Sequence, residues 1–289
     1  MSLPSRHYAV LAEHAARPAP PYADDALRID GASYAVVQRV DRACGYRGTI
    51  YRRADTGEYV VAHGGGDALR QADRDDAGLA TAGRRIAAHS DGALALTRQA
   101  LMLARTLPPA TPVSVTGHSL GGGLAQIAAH RFGLRGETFN AYGAADPAWG
   151  IPEGGRQMLN HVMAGDAVSA AGRHFGRVRV YALAQEVWRL HEIDRDAPCG
   201  ASAGLRHPLP AAAALRDSHR LQHFLDGGGD GRSRAVLDDP LARYRAQAHQ
   251  PMFERYRHGV FALCERLAQA PARHGSGGFD AGPRSDRPA

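Results

Sequence analysis

The sequence predicts an α/β fold, with a mainly parallel central sheet flanked by helices and carrying lid-like insertions. Three observations point to it. Short apolar, β-branched runs alternate with helical stretches, which is the pattern of a parallel sheet crossed by helices. One such run, Pro112 to Thr116, leads through Gly117 straight into the helical stretch Leu120 to Phe132, a complete strand–turn–helix unit. The chain has 289 residues, 44% of them apolar, enough to bury a sizeable core. We expect one domain over residues 1–270 and a disordered tail over 271–289, where Gly-Ser-Gly-Gly and Gly-Pro-Arg-Ser-Asp-Arg-Pro dominate.

The elements follow in order. Ser5 to Ala16 reads as a helix, ended by the Pro-rich stretch from Arg17 to Tyr22. Ser33–Val40 and Gly48–Arg53 read as strands, and Asp55-Thr56-Gly57 punctuates a hairpin into Glu58–Ala62. Regular pairing should stop at His63-Gly64-Gly65-Gly66. Asp67 to Ser90 is polar and poorly periodic, which predicts a loop or lid. Gly92 to Leu107 is helical by the spacing of Leu94, Leu101, Ala104 and Leu107, and Pro108-Pro109 stops it. Phe139–Tyr142, His161–Ala164 and Val178–Ala182 look like further buried strands. Gln185 to Ala214 is expected to be a long irregular insertion. Leu241 to Ala270 is amphipathic and helical, with Tyr244, Met252, Tyr256, Val260, Phe261 and Leu267 on its buried face.

The net charge is +6 and, with no lysine in the chain, every cation of the 35 Lys and Arg is an arginine. A basic surface favours anionic partners. The arginines are scattered without an aromatic-interleaved stripe, however, which argues against nucleic acid. Cys44, Cys199 and Cys264 are odd in number and far apart, forming neither a disulfide framework nor a zinc pattern. The N-terminus lacks the charged and apolar regions of a Sec signal. No run approaches the roughly 18 apolar residues of a spanning helix, so the chain should not be transmembrane. These features predict a protein made in the cytoplasm, which would leave the cell only by a signal-independent route.

Gly117-His118-Ser119-Leu120-Gly121 behind a strand has the form of a nucleophile elbow. Gly117 and Gly121 would let the strained turn form without Cβ clashes, and the helix N-terminus would point its positive end at a developing oxyanion. A serine hydroxyl needs a base within hydrogen-bond reach and an acid to orient that base. On α/β-hydrolase folds these follow in the order serine, acid, histidine. Asp166 fits the acid because Gly165-Asp166 ends a predicted strand, where active groups gather. Its competitor Asp146 lies in an Ala-Asp-Pro turn, where a solvated aspartate is the commoner outcome. For the base, His174, His191, His207, His219 and His223 are all available. His219 stands out at a loop-to-helix junction, with His223 one turn beyond.

Taken in order, Tyr59–Gly66, Gly117–Gly121, Thr138-Phe139-Asn140, Gly165–Val168 and Ser218-His219 resemble the class 3 (fungal-type) lipase family and its bacterial phospholipase-like branch. The resemblance covers roughly Asp41 to Leu225. It implies an α/β-hydrolase fold, ester hydrolysis on glycerolipids, and Ser119, Asp166 and His219 as nucleophile, acid and base. Family members carry Phe-Arg-Gly-Thr at the end of the strand after the hairpin. The similar Tyr46-Arg47-Gly48-Thr49 here starts the strand before it, and His63–Gly66 takes the family position. The oxyanion donors implied are then the Leu120 and Gly66 amides, with Gly65 beside them and no threonine hydroxyl.

The resulting expectation is a phospholipase A-type serine hydrolase acting on lipid esters at a membrane surface, without metal or cofactor. Neutral-lipid lipase and small-ester esterase are the nearest alternatives, and a catalytically dead scaffold used for binding is the distant one. A secreted antibacterial effector restrained by a cognate immunity protein is compatible with the lack of a signal.

Overall fold

The computed structural model describes residues 3–18, 26–65, 76–106, 111–195, 208–225 and 234–269. Helix α1 spans Ser5–Ala16, and strands β1 to β4 span Ala26–Ile29, Ala32–Asp41, Tyr46–Arg53 and Tyr59–Gly65. Then come α2 (Asp76–Arg105), β5 (Val113–His118), α3 (Ser119–Phe132), β6 (Arg135–Phe139), β7 (Gly154–Met163), α4 (Ala167–Ala170) and β8 (Phe175–Tyr181). Helices α5 (Ala184–Arg195), α6 (Pro208–Ala214), α7 (Pro240–Ala248) and α8 (Gln250–Gln269) follow. Two 3-10 turns, Arg216–His219 and Leu221–Phe224, lie between α6 and α7.

The eight strands of the described residues form one sheet in chain order, β1 to β8. The pairs from β1 to β4 are antiparallel, and those from β4 to β8 are parallel. The predicted α/β class with its largely parallel sheet is thus observed, with an antiparallel half that the hairpin signal foreshadowed. Alternation along β4 divides the core. Tyr59 and Val61 pack with Ile86, Leu96, Leu120 and Leu124 on the α2–α3 face. Val60 and Ala62 pack with Tyr8, Leu11 and Phe139 on the α1 face.

Several expectations need correction. Residues 76–90 are not a loop but the first half of the 30-residue α2, and 67–75 lie outside the described residues. Ile86, Ala93, Leu96, Ala100 and Ala104 form one buried face, so a single apolar stripe carries the helix through a polar sequence. Likewise Gln185–Ala214 is not irregular, since α5 and α6 occupy most of it, and 196–207 lie outside the description. Leu190 is fully buried there, whereas Trp188 is exposed and packs under Arg189. The C-terminal amphipathic stretch is two helices that break at His249. Met252, Tyr256 and Val260 are buried as expected, but Tyr244 (68%) and Leu267 (42%) are exposed. The tail expected at 271–289 lies outside the described residues.

Pairing also does not stop at His63. The antiparallel register with β3 runs on to Gly65, opposite Tyr46. Only the parallel pairing with β5 ends at His63, opposite Gly117. Beyond that point β4 parts from β5, and the N-terminus of α3 occupies the notch.

Candidate active site

The notch sets the elbow. Ser119 opens α3 with φ of +56°, a left-handed conformation uncommon for a residue with a side chain. The turn is tight enough that a Cβ on Gly117 would lie 2.3 Å from Gly121 O, and one on Gly121 would lie 2.2 Å from His63 O. Backbone on both sides leaves glycine as the only residue that fits. Gly117 and Gly121, the glycines expected in the turn, are the residues that make these close approaches. Leu120, the second residue of α3, is buried, and its amide belongs to the first helical turn, whose N–H groups have no partner within the helix. Gly65 ends β4, while Gly66, the other expected oxyanion donor, lies outside the described residues.

Ser119, Asp166 and His219 come together although they are separated by as much as 100 residues. His219 Nε2 is 2.9 Å from Ser119 Oγ, and His219 Nδ1 is 2.9 Å from Asp166 Oδ1. Asp166 is 1% exposed and follows the end of β7, as the strand reading expected. Its carboxylate also caps α4, accepting from the amides of Val168 at 3.2 Å and Ser169 at 3.0 Å. Burial alone would raise its pKa. The His219 charge and the hydrogen bonds from His219 and Ser169 outweigh that, holding the carboxyl below the usual range.

The loop carrying His219 is tied down by His118 and Asn140. His118 Nε2 donates to the His219 carbonyl at 2.8 Å. Asn140, itself left-handed at φ of +42°, accepts from Met163 N–H at 2.8 Å and donates to Ser218 O at 2.7 Å. It thereby ties the end of β7 to the loop carrying His219.

The competing residues lie elsewhere. Asp146 is exposed and caps a short 3-10 turn through Ala148 N–H at 2.8 Å. His174 is buried between Gln126 and Ser169 O. His223 donates to Asp217 O, and His191 faces His249 at the surface. His207 lies outside the described residues. His63 is buried against Tyr46 and Thr97, and desolvation lowers its pKa to about 3. The Tyr46–Thr49 segment sits inside β3, with Thr49 buried and accepting from Arg39 Nε.

Two contributors escaped the sequence reading, Glu186 and Arg257, and a third, Asn140, entered it only within the Thr138-Phe139-Asn140 motif, without a role. Its position just past a strand is one where left-handed backbone is tolerated. Glu186 stands at the third position of α5, where a carboxylate commonly caps a helix. Arg257, on α8, had no such signal. Its guanidinium donates to Met163 O, Asp166 O, and both Ser169 Oγ and Ser169 O.

A cleft of 660 Å³ opens onto Ser119 and His219 and is lined in part by Arg17, Arg216, Arg220, Glu13 and Asp217. Among the described residues, no three His, Cys, Asp or Glu side chains cluster as metal ligands, and no helix is long and apolar enough to cross a membrane.

A model of the Tle-like phospholipase domain matches residues 8–186, a stretch that takes in Ser119 and Asp166 and stops before His219. No curated protein sequence matches the chain. Among solved structures, a triacylglycerol lipase from Penicillium expansum is similar at 18% identity, over 61% of this chain and 78% of that one, with a TM-score of 0.41. Lip2 lipase from Yarrowia lipolytica is similar at 13% identity over 61% and 77%, with a TM-score of 0.38. Lipase II from Rhizopus niveus is similar at 18% identity over 47% of this chain, with a TM-score of 0.33; the match spans 60% of that lipase.

Proposed function

The chain belongs to the Tle-like phospholipase family, and from that premise we propose that it is a carboxylic ester hydrolase of lipids, a phospholipase A-type enzyme with Ser119 as its nucleophile. The observation that carries this reading is the relay from Ser119 through His219 to buried Asp166, with 2.9 Å at each step. In this mechanism His219 Nε2 takes the Ser119 proton as Oγ attacks the ester carbonyl. The oxyanion rests on the Leu120 amide at the start of α3. Collapse expels the lysolipid alcohol, which takes the proton from His219. Water then attacks the acyl-enzyme by the same proton path, releasing the fatty acid. Asp166 fixes the imidazole tautomer and offsets its positive charge. The alignment of the α3 N-terminus with the serine adds its dipole to the oxyanion site.

The phospholipid reading is supported by the cleft. Arg216 and Arg220 flank His219 in sequence and, with Arg17, line the cleft that opens onto Ser119. Arg17 is paired with Glu13 at 2.9 Å, while Arg220 and Asp217 are 3.9 Å apart. Guanidinium groups suit the phosphate of a glycerophospholipid.

The test is fatty-acid release from mixed phospholipid vesicles by wild type, Ser119→Ala and His219→Ala. Release by wild type that falls at least about 10⁴-fold in both variants is expected for triad members. Cleavage of short-chain esters with vesicles left intact would remove the phospholipid assignment and keep the chemistry. Undiminished turnover by Ser119→Ala would remove the nucleophile.

A further inference from the structure

We propose that Glu186 is a positioning residue, whose single carboxyl group joins the turn carrying Asp166 to the turn carrying His219 and so fixes acid against base. The inference rests on the catalytic reading above. Glu186 is 3% exposed and stands in the first turn of α5. Its Oε2 accepts the Leu183 N–H at 2.7 Å, the ordinary reach-back of a capping glutamate. That task needs one oxygen. The other, Oε1, leaves the helix and accepts the Gly165 N–H at 2.9 Å, from the residue before Asp166. The Ser218 hydroxyl, on the residue before His219, lies beside the same carboxyl, and both crowd the position that a Cβ on Gly165 would take.

These contacts close a ring. Gly165 leads to Asp166, Asp166 to His219 across 2.9 Å, His219 back to Ser218, and Ser218 through its packing beside Glu186 to Gly165. A Cβ on Gly165 would lie 2.8 Å from both Glu186 Oε1 and Ser218 Oγ, so the glycine is what lets the three groups meet. Tyr256 steadies the same point by donating to Gly165 O at 3.1 Å. The charged groups facing the ring are Asp166 and, from α8, Arg257, whose guanidinium holds the Met163 and Asp166 carbonyls.

A carboxylate accepts at both oxygens, and an amide cannot. Glu186→Gln keeps the shape but turns an NH₂ toward either the Leu183 or the Gly165 amide, so one link must open. Small displacements of catalytic groups are costly, up to about 100-fold for an ångström.

Two readouts test this: steady-state kinetics on a soluble short-chain ester, and the NMR resonance of the His219 Nδ1 proton shared with Asp166. The resonance needs no turnover. Ser119→Ala keeps that proton whether or not Ser119 is the nucleophile, so failure of the catalytic reading and failure of the inference are separable. We expect Glu186→Gln to lower kcat by about 10- to 100-fold with KM nearly unchanged, and to shift the resonance upfield. Ser218→Ala, which cuts only the link to the base loop, should give a smaller change in both and stands in if Glu186→Gln does not fold. A folded variant with wild-type kcat and an unmoved resonance overturns the proposal. So does a loss of kcat with the resonance in place, because acid and base would then still be aligned.

Discussion

His118 donates its Nε2 proton to the carbonyl of His219 at 2.8 Å, so the residue before the elbow serine holds the main chain of the histidine bonded to that serine. The two imidazoles lie 4.8 Å apart at 35°. Serine and histidine are thus coupled through their neighbours as well as through their own bond.

Removing that coupling should act on turnover before binding. His118→Ala is expected to lower kcat about tenfold, near the 1.4 kcal/mol of one hydrogen bond, with KM little changed. His118→Gln, which retains a donor, should recover part of the loss. Steady-state kinetics on a short-chain ester reads both. An unchanged kcat in His118→Ala would leave Asn140 as the restraint on the loop.

Gly121→Ala offers a test of the notch. In an exposed helix the change would stabilise by about 1 kcal/mol. Here the methyl group would meet His63 O at 2.2 Å and Gly64 Cα at 2.9 Å, both backbone. We expect a net loss of about 1–3 kcal/mol or more, with activity falling beyond what stability explains. Thermal unfolding that matches or exceeds the wild type would contradict the tight fit.

The cleft arginines should separate substrates. Arg216→Gln combined with Arg220→Gln is expected to reduce phospholipid hydrolysis about tenfold or more while sparing an uncharged short-chain ester. The ratio of the two rates is the measurement. Equal losses on both substrates would mean that the arginines support the His219 loop and do not read a phosphate.

Acid should weaken the fold through two buried histidines. His174 accepts from Gln126 at Nδ1 and donates to Ser169 O at Nε2, so its neutral form is satisfied and a second proton would face a donor. Burial lowers its pKa to about 4, and that of His63 to about 3. Both folded values lie below the ordinary 6.5, so the unfolded chain binds more protons between them. Stability therefore falls as pH drops below 6.5, by about 1.4 kcal/mol per pH unit per histidine, until about pH 4 for His174 and about pH 3 for His63. His174→Gln should remove one proton from the slope measured by denaturant unfolding between pH 6.5 and 4.5. An unchanged slope would mean that His174 is protonated in the fold.

What could be read in advance was what is local. The elbow announces itself because strand, strained turn and helix are contiguous from Val113 to Phe132 and need glycine at fixed places. Asp166 and His219 were legible through the order of short motifs. The polar first half of α2 was misread because only a narrow stripe of it is buried. Helix α5 was misread because its anchors are few, Glu186 and Leu190, in otherwise polar sequence. Glu186 and Arg257 acquire meaning only when β7, α5 and α8 converge on one turn, and no spacing along the chain encodes that meeting.

The sheet whose strands pair in chain order has a consequence for synthesis. A chain emerging N-terminus first can add each strand to the one before it, and the eighth ends at Tyr181. Ser119 and Asp166 are then already in the growing fold, while His219 still lies 38 residues further along. A chain that has emerged as far as Tyr181 can therefore hold all eight described strands together with Ser119, while the histidine that bonds to that serine arrives only once residue 219 has followed.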